Sequence, residues 1–173
     1  MIGAEHARRG LVGNMRLTTL SDYALRVLMY AAVAGDRLIT IEETAKLYGI
    51  SQAHLMKVVN LLTKTGYLRG VRGRSGGFTL AKRPEDINLG SVVRATEPDF
   101  ALVECFATGT QCLIDGSCRL PNVLNEALTA FVTTFDRYTL ADIMLSERDF
   151  TAPKKRRTKT TRGPNIPRVK AGA

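Results

Sequence analysis

The sequence predicts a mostly α-helical domain with a small β-wing, and three observations support this fold class. Apolar residues recur at helical spacing in the first half of the chain. Two short strand-like runs then flank a glycine-rich turn, and a second helical pattern follows towards the C-terminus. The chain has 173 residues, of which 45% are hydrophobic and 24% charged, so it can fill one core of ordinary size.

The first predicted element is an amphipathic helix from Leu20 to Ala34. Its apolar residues recur every three or four positions, at Leu20, Ala24, Val27, Leu28 and Ala31. Ser21 is the predicted N-cap, because a serine side chain accepts hydrogen bonds from first-turn amides. The preceding extension, residues 1–14, lacks this period, and we expect it to be disordered.

Two further helices with a short turn between them predict a helix-turn-helix. Thr40 and Glu43 have the spacing of a capping box, which opens the second helix, and Gly49 ends it. Ser51 caps a third helix that ends at Gly66. The apolar residues of this third helix fall on one face, at Leu55, Val58, Val59 and Leu62.

The opposite face of the third helix carries no acidic residue. A helix in the major groove reads base edges with its N-terminal residues and holds phosphates with lysine or arginine. A solvated basic face is the alternative that charge alone leaves open. The predicted DNA-binding residues on this helix are Gln52, Ala53, His54, Lys57 and Asn60.

After Gly66 the chain reads YLRGVRGRSGGFTLAK, which predicts two strands around a flexible tip. Arg72 and Arg74 lie at this tip, where an arginine can enter the minor groove or hold a phosphate. Neither glycine spacing typical of nucleotide-binding loops is present, so we exclude that class of site. A helix-turn-helix followed by a basic wing predicts DNA binding.

The distribution of charge supports the same interpretation. Residues 46–83 hold eight cations and no acid, whereas residues 84–150 hold four cations and eleven acids. Residues 151–173 hold eight cations, no acid and almost no apolar side chains, which predicts a disordered basic tail.

All three cysteines, Cys105, Cys112 and Cys118, lie within fourteen residues at the spacing C-x6-C-x5-C. No signal peptide or membrane span is apparent, so we expect a cytoplasmic, reducing location without membrane association. An odd number of cysteines there is a poor disulfide framework. Thiolates in an aperiodic loop suit an iron–sulfur cluster, with zinc and redox-active or inert thiols as alternatives.

A long helix is predicted from Pro121. Its seam residues repeat at spacings of 4, 3, 4 and 3, at Leu124, Leu128, Phe131, Phe135 and Tyr138. Packing on its own domain is the default for two heptads, whereas a twofold dimer would suit a protein that grips two DNA half-sites. A short helix capped by Thr139 is predicted to follow.

These patterns divide the chain into five segments. They are an N-terminal extension (1–14), a winged helix-turn-helix DNA-binding domain (15–98), a cysteine cluster-binding loop (99–120), a dimerisation helix with a short C-terminal helix (121–150) and the basic tail (151–173).

Together the motifs resemble the winged-helix iron–sulfur transcription regulators. The resemblance covers Met15 to about Leu145 and rests on MRLTTLSDYALRVLMY, GISQAHLMKVVNLLTKTGYL, VRGRSGGFTLAK, INLGSVVRATEP, the three-cysteine loop and YTLADI. Within the family, the cysteine loop and the YTLAD ending are most similar to those of the nitric-oxide-sensing repressors.

The resemblance implies an iron–sulfur cluster, 4Fe-4S with 2Fe-2S as the alternative, held by the three cysteines and the partner subunit's Asp22. In another branch of the family a histidine three residues after the last cysteine completes the ligand set, and Pro121 stands there in this chain. From the residues alone, Asp22 is a first-turn acid favoured by the helix dipole.

The function implied is that of a homodimeric repressor, not an enzyme, that binds a palindromic operator in double-stranded DNA. Nitric oxide would damage the cluster and release the DNA. An iron- or redox-responsive regulator of the same family and a zinc or thiol-switch regulator are the alternatives. An enzyme or electron carrier is disfavoured, because the chain has only two histidines and lacks a C-x3-C-x2-C run.

Overall fold

The computed structural model describes residues 16–73, 75–100, 102–103, 114 and 117–151. Its helices are α1 (Thr19–Ala34), α2 (Ile41–Tyr48), α3 (Gln52–Lys64), α4 (Leu89–Thr96), α5 (Leu120–Asp136) and α6 (Glu147–Thr151). Two strands, β1 (Leu68–Val71) and β2 (Gly77–Leu80), and two 3-10 turns, Pro84–Asp86 and Ala141–Ile143, complete the described elements. The predicted fold class, mostly α with a small β-wing, is confirmed.

Helix α1 begins earlier than predicted because Thr18, not Ser21, is its N-cap. The Thr18 hydroxyl accepts a hydrogen bond from the Ser21 amide at 3.3 Å. Ser21 is fully buried, and its hydroxyl oxygen accepts a hydrogen bond from the Thr96 hydroxyl at 2.8 Å. The serine therefore joins α1 to α4, a tertiary role that local capping rules do not reveal.

The helix-turn-helix is built as the sequence predicts. Thr40 caps α2 by accepting a hydrogen bond from the Glu43 amide at 3.0 Å, and Gly49 ends α2 with a left-handed φ of 67°. Ser51 caps α3 by accepting a hydrogen bond from the His54 amide at 3.3 Å. Three residues therefore suffice to turn the chain from α2 into α3.

The wing is an antiparallel hairpin in which Leu68 pairs with Leu80 and Val71 with Gly77. Ile39, which precedes α2, forms a further bridge to Phe78. A Cβ atom at Gly77 would lie 2.6 Å from the Ile39 carbonyl oxygen, so only glycine allows this approach. The hairpin is thereby attached to the helix-turn-helix.

One apolar core joins the helix-turn-helix and the wing. It receives side chains from α1, α3, α4 and both strands. The largest fully buried side chains include Leu28, Ile39, Leu55, Leu62, Leu68, Phe78, Ile87 and Leu140. The position of α3 is consequently determined by α1 and the hairpin, against which it packs.

Helices α4 and α5 are joined through Asp136, the last residue of α5. Asp136 forms an ion pair with Arg94, which lowers the pKa of the carboxyl group, and its carbonyl oxygen accepts a hydrogen bond from the Asn88 side chain at 2.7 Å. The seam predicted to reach Tyr138 is shorter, because α5 ends at Asp136. The short helix predicted after Thr139 is a single 3-10 turn.

Gly90→Ala is expected to lower the free energy of unfolding by about 1 kcal/mol, although alanine is the better helix former. A Cβ atom at Gly90 would lie 2.0 Å from Asp136 Oδ1 and 3.0 Å from the Asp136 amide nitrogen. Urea denaturation would measure the change. The control is the same substitution in an Asp136→Ala background, where most of the decrease in the free energy of unfolding should disappear. An equal decrease in both backgrounds would contradict this explanation.

Candidate nucleic-acid interface and cysteine loop

Helix α3 presents two different faces. Leu55, Val58, Val59 and Leu62 are buried against the core. The side chains predicted to contact DNA are all exposed, namely Gln52, Ala53, His54, Lys57 and Asn60. The structure thus places the five predicted residues on the solvent-facing side of α3, which carries no acidic residue.

The wing places a second basic group in solvent. Arg72 is exposed at the turn between β1 and β2, next to Gly73, whose φ is 118°. Arg69 is exposed on β1, between buried Leu68 and the tip. Arg74 lies outside the described residues. Together, α3 and the wing can offer hydrogen-bond donors and positive charge to a polyanion.

A polar network holds α2 against α1. Tyr30 donates a hydrogen bond to Glu43, and Arg37 forms an ion pair with Glu43 at 2.9 Å. The hydrogen bond from Arg37 lowers the pKa of Glu43. Tyr48, the last residue of α2, donates a hydrogen bond to the carbonyl oxygen of Arg26 at 2.9 Å, and burial raises its pKa to about 12. These contacts orient α2, and through the short turn also α3.

Asp22 lies in the first turn of α1, where its carboxylate is about half exposed. It forms an ion pair with Arg26, one turn later, at 2.8 Å. Asp22 also lines a shallow surface depression with Arg16, Leu17 and Thr19. An accessible carboxylate with one surface partner can exchange that partner for another, because an exposed ion pair contributes little stabilising free energy in water.

Cys118 is half-buried, and its amide donates a hydrogen bond to the Ile114 carbonyl oxygen at 3.1 Å. It lies two residues before the first residue of α5. Cys105 and Cys112 lie outside the described residues. Within the described ranges, no three His, Cys, Asp or Glu side chains are grouped closely enough to hold a metal ion.

A contact that the sequence did not predict joins the start of α1 to the end of α4. The Thr18 amide donates a hydrogen bond to Glu97 Oε1 at 2.9 Å, and the Thr18 hydroxyl contacts the same oxygen at 3.3 Å. Glu97 is the C-cap of α4 and stands just before the segment that contains the cysteines. The two residues are 79 positions apart, so no local pattern could have indicated this contact.

The described part of the chain contains no helix long and apolar enough to cross a membrane.

Residues 17–146 match the Rrf2 family, described as an iron-dependent transcriptional regulator. The chain is 48% identical over 137 residues to the HTH-type transcriptional regulator NsrR of Bacillus subtilis, covering 78% of this chain and 94% of that protein. It is 47% identical over 132 residues to the regulator of the same name in Geobacillus kaustophilus, covering 75% and 90% respectively.

Solved structures are similar in fold. T. potens IscR superposes with a TM-score of 0.58 at 23% identity and covers 75% of this chain and 86% of its own. CymR, the global cysteine regulator of B. subtilis, superposes with a TM-score of 0.60 at 22% identity, with coverages of 74% and 95%. The family match and the sequence relatives confirm the family resemblance that the sequence motifs predict, and the solved structures confirm the fold.

Proposed function

Because the chain belongs to the Rrf2 family of transcriptional regulators, we propose that it is a DNA-binding repressor whose iron–sulfur cluster senses nitric oxide. The observation that carries the DNA-binding role is the exposed, acid-free face of α3 beside the basic wing. Relatives are named as transcriptional regulators, so we assign regulation rather than catalysis. We place this activity in the cytoplasm, where a DNA-binding regulator meets its operator.

In this proposal α3 lies in the major groove. Gln52, Ala53, His54 and Asn60 face base edges, and Lys57 faces phosphate. Arg72 and Arg74 of the wing reach the neighbouring minor groove or its phosphates. The exposure of the α3 side chains and of Arg72 supports this arrangement.

The repressor acts as a homodimer through α5, in our proposal, and reads a palindromic operator. No residue of α5 is buried within the single chain. Its exposed apolar side chains include Leu120, Val123 and Phe131, beside the half-buried row of Leu124, Leu128 and Phe135. An apolar stripe of this length favours burial against a second copy, which would also set the distance between two recognition helices.

Cys105, Cys112, Cys118 and the partner subunit's Asp22 are the proposed cluster ligands. Three thiolates and one carboxylate are chemically suited to iron, since thiolates bind soft metal centres and a carboxylate oxygen is more readily displaced. Asp22 is free enough for this role because it is half exposed and paired only at the surface with Arg26. When bound, the cluster supplies the iron with which nitric oxide reacts.

In this proposal the release of DNA depends on Asp22 and on the contacts of α1. As a ligand, Asp22 would hold the start of α1 close to the cysteines of the other subunit; without the cluster it would keep the ion pair with Arg26. Because α1 packs against α3, α4 and β2, a movement at the start of α1 reaches the recognition helix. The dimer population thereby shifts away from the DNA-binding form and the target genes are derepressed.

A regulator that responds to iron is the second candidate function. It is favoured by the description of the matching family as iron-dependent. In that case loss of iron, rather than nitric oxide, would release DNA, with the same cysteines and the same DNA-binding face in use.

The proposal is tested by measuring iron and acid-labile sulfide per chain in protein purified without oxygen. About four of each supports a 4Fe-4S cluster and about two of each a 2Fe-2S cluster. Titration with nitric oxide, and separately with an iron chelator, would follow on an operator selected from random duplexes. Release by nitric oxide supports the proposal, release by chelator alone supports the iron-responsive candidate, and protein with zinc or no metal would contradict both.

Asp22→Ala is expected to speed cluster loss in air by about tenfold or more, because the site loses a ligand. Visible absorbance of the cluster would measure the rate. Arg26→Ala is the matched control, since it removes the same ion pair but leaves the carboxylate. If the two variants lose the cluster at equal rates, Asp22 is not a ligand and acts only within α1.

A further inference from the structure

Met56 is an exposed apolar side chain on α3, the helix proposed to contact DNA. Among the large apolar side chains of α3, which the structure describes throughout, it alone is exposed, with a relative exposure of 51%. Its neighbour Leu55 is fully buried, because successive residues of a helix are turned by about 100° and the core lies on one side of α3 only. Met56 therefore faces solvent and does not contribute to the core.

Two amide side chains lie on either side of Met56 along α3. Gln52 lies one turn before it and Asn60 one turn after it, and both are exposed. At about 1.5 Å per residue, successive members of this set are about 6 Å apart along the helix axis. Because residues four apart share a face, Gln52, Met56 and Asn60 form a row on the solvent-facing side. An apolar group thus lies between two groups that both donate and accept hydrogen bonds.

The charge around this row indicates the kind of partner that would cover Met56. Lys57 and Lys64 are exposed on the same side of α3, and the helix contains no acidic residue. A single exposed apolar residue is common on protein surfaces and by itself indicates no partner. Here it is surrounded by cations and amides, which are the side chains that bind phosphates and base edges. Duplex DNA is therefore the partner that the surroundings of Met56 favour.

Thymine is the base whose chemistry matches an apolar side chain in the major groove. It presents a C5-methyl group there, whereas adenine presents N6 and N7 to an amide side chain. The side chain of methionine is flexible and polarisable, so it adapts to a methyl group without a fixed geometry. Met56 can thus contact a thymine methyl group while Gln52 contacts a neighbouring base.

We infer that Met56 contacts the C5-methyl group of a thymine in the DNA held by α3, and so selects thymine at one position of each half-site. The inference rests on the proposed DNA-binding face and not on the cluster or on nitric oxide. Burial of one methyl group changes an affinity by about fourfold. Two symmetric half-sites together raise the effect to about tenfold or more.

The test uses the full-length protein and an operator selected from random duplexes. Each thymine is replaced in turn by deoxyuridine, at the same position in both half-sites. This replacement removes the C5-methyl group and leaves the hydrogen-bonding groups of the base unchanged. For the wild type we expect a loss of affinity of about tenfold or more at one thymine position.

Met56→Ala identifies the side chain that is responsible. Alanine is a good helix former and Met56 is exposed, so the variant should fold. We expect it to bind the unmodified operator about tenfold more weakly, and to lose no further affinity when deoxyuridine replaces that thymine. Met56→Leu, which keeps an apolar side chain of similar size, should retain most of the sensitivity to deoxyuridine.

Met144→Ala is the matched control, since Met144 is 40% exposed and lies outside α3. It should show the same loss with deoxyuridine as the wild type. Equal sensitivity of the wild type and Met56→Ala at every thymine would overturn the inference, as would a wild type that is insensitive to deoxyuridine at all positions. Both results leave the proposed DNA-binding function intact, whereas a protein that selects no duplex sequence would contradict that function as well.

Discussion

Cys118→Ser is expected to reduce the iron content from about four atoms per chain to fewer than about one. Serine keeps the size of the side chain but replaces a soft thiolate with a hydroxyl, which is a poor ligand for iron in such a cluster. Cys118 is only half-buried and lies before α5, outside the apolar core. The fold should therefore survive, and iron and sulfide analysis with circular dichroism would separate the two effects.

The matched control for this substitution is Ser117→Ala, which alters the exposed neighbour of Cys118 and leaves all three thiols in place. We expect this control to retain its iron and sulfide. A Cys118→Ser protein with an unchanged cluster spectrum would contradict the ligand assignment. Loss of iron in both variants would instead indicate that the loop, rather than the thiol, had been disturbed.

Phe131→Asp is expected to raise the dimer dissociation constant by about 100-fold or more, which corresponds to about 2.8 kcal/mol. Phe131 is 39% exposed on α5 and contacts the Phe135 ring at 5.1 Å between centroids. In the proposed dimer this ring is covered by the second copy, and a carboxylate there would be buried without a partner. Sedimentation equilibrium would measure the dissociation constant.

Thr133→Asp is the control for the dimer prediction. Thr133 is also exposed on α5, but at 100° per residue it points about 160° away from Phe131. It adds the same charge to the same helix, so it should leave the dimer intact. If both variants dissociate, charge on α5 rather than the apolar stripe is responsible; if neither does, α5 is not the dimer interface.

Local patterns were sufficient for the helix-turn-helix and the wing. The capping residues Thr40 and Ser51, and Gly49 at the end of α2, act within one turn of the chain, so their roles can be read from spacing. Helix α4 was not assigned from the sequence. Its cap, Asn88, also contacts the end of α5, which no short-range pattern indicates.

Local patterns likewise predicted one part of the candidate site and not the other. The exposed face of α3 could be predicted because helical periodicity separates Leu55 and Val58 from Lys57 and Asn60. The roles of Asp22 and of the cysteines stay predictions, since Cys105 and Cys112 lie outside the described residues. The hydrogen bond between Thr18 and Glu97 joins two distant segments, and so does the packing of the Phe150 ring against Tyr30. The sequence indicated neither contact.

The sequence by itself determined the class of fold, the two faces of α3, the basic wing and the family, because each depends on residue types at short, regular spacing. Only the tertiary structure decided that Ser21 joins α1 to α4 instead of capping α1. Tertiary structure also decided that Phe150, near the C-terminal end of the described residues, packs against Tyr30 and Tyr48. Such contacts depend on which surfaces meet when the core closes, and burial acts between segments that are far apart along the chain.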